Sequence, residues 1–208
     1  MARWEPNAVG RLREAALDLF RDRGYDETTV AEIAERAGVT PRTFFRYFAD
    51  KREVLFAGAE KLAALLAEQV AAEPPRTTAI DAVAHALEAV AAASAESADF
   101  FRRRQALIKE HAELRERDLI KHAALATSIA EALRRRGVPD PSASLAAEAG
   151  IASFKLAFDT WACDSKRRGL DHHVRDALSG LKQVVGGERV VKRKKRDWPE
   201  PAATGSQL

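Results

Sequence analysis

Along most of this 208-residue chain, apolar positions return every three to four residues, the spacing that gives a helix one buried face. Alternation with period two is nowhere sustained long enough to build a sheet. Ala, Leu, Glu and Arg dominate, and runs of β-branched residues are rare, so propensity and periodicity agree on an all-α protein. The first predicted helix, Asn7 to Arg23, lines up Leu12, Ala15, Ala16, Leu19 and Phe20 and stops at Gly24. Asp26, Thr28 and Thr29 then offer capping oxygens for a short helix ending near Ala37. Gly38 breaks it, and Thr40-Pro41 opens a third helix of barely two turns. A fourth is predicted from Lys51 to Ala72, carrying Val54, Leu55, Leu62, Leu65, Leu66 and Val70 as far as the Pro74-Pro75 stop. The later helices span Thr77 to Ala93, Ser97 to Glu110, Leu114 to Arg136, Ser142 to Arg168 and His172 to Val185.

The stretch from Thr29 to Phe48 has the parts of a helix-turn-helix. Two short helices crossing at a wide angle need a small residue where they touch, a residue that tolerates positive φ between them, and apolar anchors behind each. Ala34, Gly38 and the set Ile33, Val39, Phe44 and Phe48 supply these in order. With Phe44 and Phe48 one turn apart and facing inward, the third helix turns Arg42, Thr43, Arg46 and Tyr47 outward. Arginine can give two parallel hydrogen bonds to guanine O6 and N7, and threonine can bond a base edge or touch a thymine methyl, so Arg42 and Thr43 are the expected base readers. Thr28 or Thr29, Thr40, Tyr47 and Lys51 suit phosphates, through hydroxyls, a helix amino terminus and a point charge.

Charge sharpens this picture by its position. The net charge is only +3, but Arg42, Arg46, Lys51 and Arg52 fall together with Asp50 alone opposing them, and residues 189–208 hold six basic side chains against two acidic ones. The rest of the chain is nearly balanced. The apolar runs are far shorter than a bilayer requires and no apolar leader follows Met1, so the expected location is the cytoplasm. A single cysteine, Cys163, excludes an intrachain disulfide.

On these motifs residues 11–56 resemble the TetR family of transcriptional regulators, most closely in Thr29 to Gly38 followed by Thr-Pro-Arg-Thr-Phe-Phe-Arg-Tyr-Phe-Ala-Asp-Lys51. The resemblance implies about nine helices, a helix-turn-helix in helices two and three, a ligand-binding domain behind a fourth helix, and a homodimer on palindromic double-stranded operator DNA, associated with the bacterial nucleoid. By position it implies DNA contacts at Thr29, Thr40, Pro41, Arg42, Thr43, Phe45, Tyr47 and Lys51. Arg42 stands where relatives often carry a small residue. The later chain resembles a narrower branch, the mycofactocin-type regulators grouped around acyl-CoA-like ligands, through Arg-Arg-Arg104-Gln-Ala-Leu-Ile108, Ala-Glu-Leu-Arg115-Glu-Arg and the helix from Ala149-Gly-Ile151 to Trp161. His111-Ala112-Glu113-Leu114 replaces a proline-containing turn of that branch.

The expected division is residues 1–52 for DNA binding, 53–187 for ligand binding and dimerisation, and 188–208 for a disordered basic tail. The helix beginning at Ser142 is apolar on more than one side and so needs two partners. One is its own core and the other the same helix of a second subunit, with Phe154, Trp161, Val174, Leu178, Leu181 and Val185 as the expected interface. Phe100, Phe101, Ile108, Leu119, Leu125 and Phe158 are the candidates to line a pocket for a small hydrophobic effector, acyl-CoA or fatty-acid-like. The adjacent His172 and His173 diverge on a helix, and His111 and His122 lack ligand spacing, so no metal is expected. No nucleophile elbow, phosphate loop or His-Glu-x-x-His is present, which argues against an enzyme. The predicted function is a ligand-responsive repressor; a helical adaptor without DNA specificity is the competing reading.

Overall fold

The computed structural model of the chain describes residues 7–186. Among them are nine α-helices and no strand: α1 (Ala8–Arg23), α2 (Val30–Arg36), α3 (Pro41–Tyr47), α4 (Ala59–Ala72), α5 (Ala79–Ala93), α6 (Ala98–Glu110), α7 (Ala112–Arg135), α8 (Ser142–Ala162) and α9 (Leu170–Val185). Residues 188–208, expected to form the basic tail, lie outside the described residues.

Two cores organise the helices. The first gathers Leu12, Ala16, Phe20, Ile33, Ala34, Phe44 and Phe48 from α1 to α3 and its end. It also takes in Val54, Leu55 and Phe56, beyond residue 52, and Phe100, Leu107, Ile108 and Leu114 from α6 and α7. The second core joins α4, α5, α7, α8 and α9 around Leu66, Leu87, Ile129, Leu133, Phe154 and Trp161. There α4 runs along α7, and α8 packs on α5, α7 and α9. The two cores meet at Phe101, which packs against both.

The predicted helix from Lys51 to Ala72 is broken in two. Glu53–Phe56 form a 3-10 turn, and Gly58 takes φ 91° before α4 begins. A backbone in that region is costly for any residue with a Cβ, so glycine there sets the joint between the two units. The predicted helix from Ser142 to Arg168 also ends early, at Ala162. Beyond it the Asp164 carboxylate gathers the backbone N–H groups of Lys166 and Arg168, the Arg168 guanidinium and His173 Nε2. Those bonds, with that to Arg168 first, hold Asp164 well below the ordinary carboxylate range.

The expected dimer residues divide. Phe154, Trp161, Val174 and Leu178 are buried within the chain's own core, because α8 and α9 turn them toward α5 and α7; they have no surface left for a second copy. Leu181 is half-buried, and Val185 is exposed. What α8 leaves outside is a different stripe: Leu145, Ala152 and Leu156 are exposed and Ala149 is half-buried. Steps of four, three and four residues place these on one face.

Candidate nucleic-acid interface

The helix-turn-helix is assembled by local hydrogen bonds that its residue types dictate. Thr29 caps α2: its Oγ1 accepts the Glu32 N–H at 3.3 Å, and the Glu32 carboxylate accepts the Thr29 N–H at 2.9 Å. This is a reciprocal capping box, and it pulls the Glu32 carboxyl below its ordinary pKa, chiefly through the Thr29 N–H. Gly38, at φ 68°, lets the Val39 N–H return to the Ala34 carbonyl at 2.9 Å, which closes α2 and aims the chain into α3. Thr40 then caps α3 by accepting the Thr43 N–H at 3.1 Å, with Pro41 in the first turn. Phe44 is wholly buried behind the turn, its ring 5.4 Å from that of Phe48.

This packing decides what faces outward. Pro41, Arg42, Phe45, Arg46 and Tyr47 are exposed and Thr43 is half-exposed. Arg42, Thr43, Phe45 and Arg46 together frame a surface recess of about 370 Å³. The α3 helix carries no acidic residue, and among the described residues Arg42 has no hydrogen-bond or ion-pair partner. Arg46 leans on its neighbour, donating to the Tyr47 hydroxyl at 3.0 Å with its guanidinium 4.8 Å from the ring. A narrow, positively charged, two-turn helix with free hydrogen-bond donors is the shape that enters a major groove.

Two of the expected phosphate contacts are spent inside the protein. Thr28 is buried and donates its hydroxyl to the Gly24 carbonyl at 2.7 Å, so only Thr29 of that pair reaches the surface. The Lys51 ammonium donates to the carbonyls of Tyr25, Asp26 and Thr28 at 2.7, 3.0 and 3.1 Å, which uses its three hydrogens. It also lies 4.5 Å from the ring centre of Tyr25. Tyr25 itself is sealed between Phe20 and His111, and burial pushes its phenol up to about 12. Lys51 therefore clamps the loop between α1 and α2 instead of presenting a free charge to DNA.

Comparison with known proteins meets the geometry here. Residues 12–57 match the model of bacterial regulatory proteins of the tetR family, and residues 77–186 match the MftR C-terminal domain. The chain belongs to the tetR family. Of curated proteins, it is 57% identical to the HTH-type transcriptional regulator TcmR of Streptomyces glaucescens over 44 residues, 21% of this chain and 20% of TcmR. It is 41% identical to the class A tetracycline repressor of transposon 1721 from Escherichia coli over 76 residues, 36% of this chain and 32% of that protein. The chain thus spans a third or less of the length of these two relatives. Among solved structures, Thermus thermophilus FadR, a TetR-family transcriptional repressor in complex with lauroyl-CoA, is 27% identical over 93% of this chain and 98% of its own, with a TM-score of 0.54.

In this tetR-family regulator the joint between the two units is held by charge, which the sequence did not disclose. Arg104 of α6 donates to the Leu55 carbonyl at 2.8 Å and to Asp118 of α7 at 2.9 Å, and lies over the Phe56 ring. Both partners of this ion pair are nearly buried. Burial pulls the Arg104 guanidinium down from its ordinary value while Asp118 opposes the shift. Glu53 pairs with Arg117 and, at 3.0 Å, with Lys121. Burial would raise its carboxyl, but these two cations hold it below the usual glutamate range. Arg103 meanwhile reaches from α6 to Glu14 and, at 3.0 Å, to Asp18 of α1. The run Arg102-Arg-Arg104 was visible as a motif, but its partners lie up to 89 positions away in the chain.

The expected effector residues do not converge on one cavity. Phe100 and Ile108 sit in the amino-terminal core, Leu125 in the carboxy-terminal one, and Leu119 is 54% exposed. The amphipathic face of α7 accounts for this: Leu114 and Leu125 turn inward, and Leu119 falls on the opposite side. Three of the six do form a continuous string. Phe100 touches Phe101, which meets Phe158 edge-on at 6.0 Å, and Phe158 in turn contacts Phe154 and Trp161.

Proposed function

We propose that this regulator is a repressor that binds a palindromic operator as a homodimer and is released by a small hydrophobic effector. The observation that carries the first part is the outer face of α3, where Arg42 has no partner among the described residues and Thr43, its hydroxyl 3.1 Å from that of Thr40, stands beside it on a doubly capped turn. Arg42 and Thr43 read bases; Thr29, Thr40 and Tyr47 lie where they can meet phosphates. Selection of bound duplexes from a random pool at near-physiological salt, where phosphate attraction alone is weak, tests it. The expected result is an inverted repeat; recovery of no motif would overturn the operator assignment and favour the adaptor. Arg42→Ala is expected to lower affinity for the selected duplex by roughly tenfold, about 1.4 kcal/mol, while leaving random DNA nearly unchanged.

The second copy fits against α8 and α9. The stripe of Leu145, Ala149, Ala152 and Leu156 is an apolar face of α8 whose two leucines are exposed among the described residues, and Val184 of α9 is exposed as well. Pairing this face with its own copy makes a four-helix isologous contact.

The effector assignment rests on the MftR-type match over residues 77–186 and on the lauroyl-CoA held by Thermus FadR. We infer an acyl-CoA or fatty-acid-like ligand acting among α6, α7 and α8. Those helices hold Arg103, Arg104 and Phe101, so a ligand that separates them shifts the joint at residues 53–56 and with it the position of α3. Titration of lauroyl-CoA into the complex with the selected duplex is expected to release DNA. Unchanged affinity, together with an unchanged melting temperature, would count against this ligand class.

A further inference from the structure

Phe45 is the anomaly of the DNA-facing helix. The residue is 57% exposed, although a phenylalanine gains most by burial. Among the described residues it meets Phe44 alone among rings, edge-on at 5.6 Å, and its side chain makes no cap or ion pair. It shares the recess wall with Arg42, Thr43 and Arg46. Residue 45 follows residue 42 by one turn, so ring and guanidinium stand on the same face, about 4.5 Å apart along the axis.

A benzene ring has neither donor nor acceptor for a phosphate oxygen, so Phe45 cannot serve the backbone-positioning role of a hydroxyl or an ammonium at such a place. In the major groove the one apolar group whose presence depends on sequence is the C5-methyl of thymine. From these facts we propose that Phe45 is a specificity-determining residue that recognises a thymine methyl. An axial offset of about 4.5 Å against a base step of about 3.4 Å places that thymine within two base pairs of the pair contacted by Arg42. This assignment rests on α3 entering the groove with Arg42 toward the bases.

The probe is the duplex recovered by selection, with each thymine replaced singly by deoxyuridine, which removes the methyl and leaves the hydrogen-bonding edge intact. For the native chain, uracil at one position of each half-site is expected to weaken binding about fourfold, the effect of one lost methyl contact. That position should lie within two base pairs of the one whose preference Arg42→Ala relaxes. In Phe45→Ala the same replacement should have no effect, while Phe45→Leu, still apolar, should keep part of it. Because the side chain is exposed, Phe45→Ala should retain the native melting temperature. Equal sensitivity to uracil in the native chain and Phe45→Ala, or no sensitive thymine at all, would overturn the role of Phe45 and leave that of Arg42 standing. Failure to select any motif would overturn both.

Discussion

Replacing Asp118 by alanine is expected to destabilise this protein by about 3–5 kcal/mol, a large part of the roughly 5–15 kcal/mol that typically separates folded from unfolded chains. The cost comes from what remains. Arg104 has its guanidinium between α6, α7 and the turn at residues 53–56, with side-chain exposure of 13%. Without Asp118 it keeps one carbonyl, that of Leu55, and the Phe56 ring, but loses the carboxylate that opposes its burial. An unpaired buried cation is expensive because the interior replaces little of its lost hydration. His122 does not substitute: it lies 3.4 Å from Asp118 in the same cluster, and burial lowers its pKa. Urea denaturation followed by circular dichroism measures the loss. Asp118→Asn, which keeps an acceptor of similar shape, should lose less. The double variant Arg104→Met with Asp118→Leu should recover most of the stability, since two apolar side chains remove both charges together. If the double variant were as unstable as Asp118→Ala, the unpaired charge would not be the cause.

The same logic separates two roles for Lys51. As an internal clamp on the carbonyls of residues 25, 26 and 28, its replacement by methionine should cost about 2–3 kcal/mol, because several charge-assisted hydrogen bonds are lost and part of that backbone is screened from water. The slope of log affinity against log salt should then stay unchanged for the folded protein. A lysine that touched a DNA phosphate would show the reverse: little change in stability, and a slope shallower by about one. Thermal unfolding and a salt series on the selected duplex distinguish the two, and a shallower slope at native stability would restore Lys51 to the DNA interface.

These two residues mark a general division. Thr29, Gly38, Thr40 and Phe44 were legible because their work is done within a few positions: a cap reaches three residues, a turn closes in five, and a helix face repeats every third or fourth residue. The residue types alone carry that geometry. The same holds for the bounds of α1, α5 and α9, each close to its predicted span. Where Gly58 would act as a joint, periodicity ran through it, since the apolar pattern on either side of a left-handed glycine continues without a visible gap.

For α8 the limit was of another kind. Its apolar residues lie all round the helix, and hydrophobicity names no direction; Phe154 and Trp161 were as eligible for an outer face as Leu145 and Leu156. Only the positions of α5 and α7 settle which side is core. What the sequence determined by itself was therefore the helical content, the helix-turn-helix and the side of α3 that faces outward. The tertiary structure alone decided which apolar face of α8 is sealed, where Lys51 and Thr28 spend their donors, and how Arg103, Arg104 and Glu53 bind the two units together. The physical reason is range: capping and periodicity act over one helical turn, whereas an ion pair or a packed face requires a partner that the chain brings near only by folding.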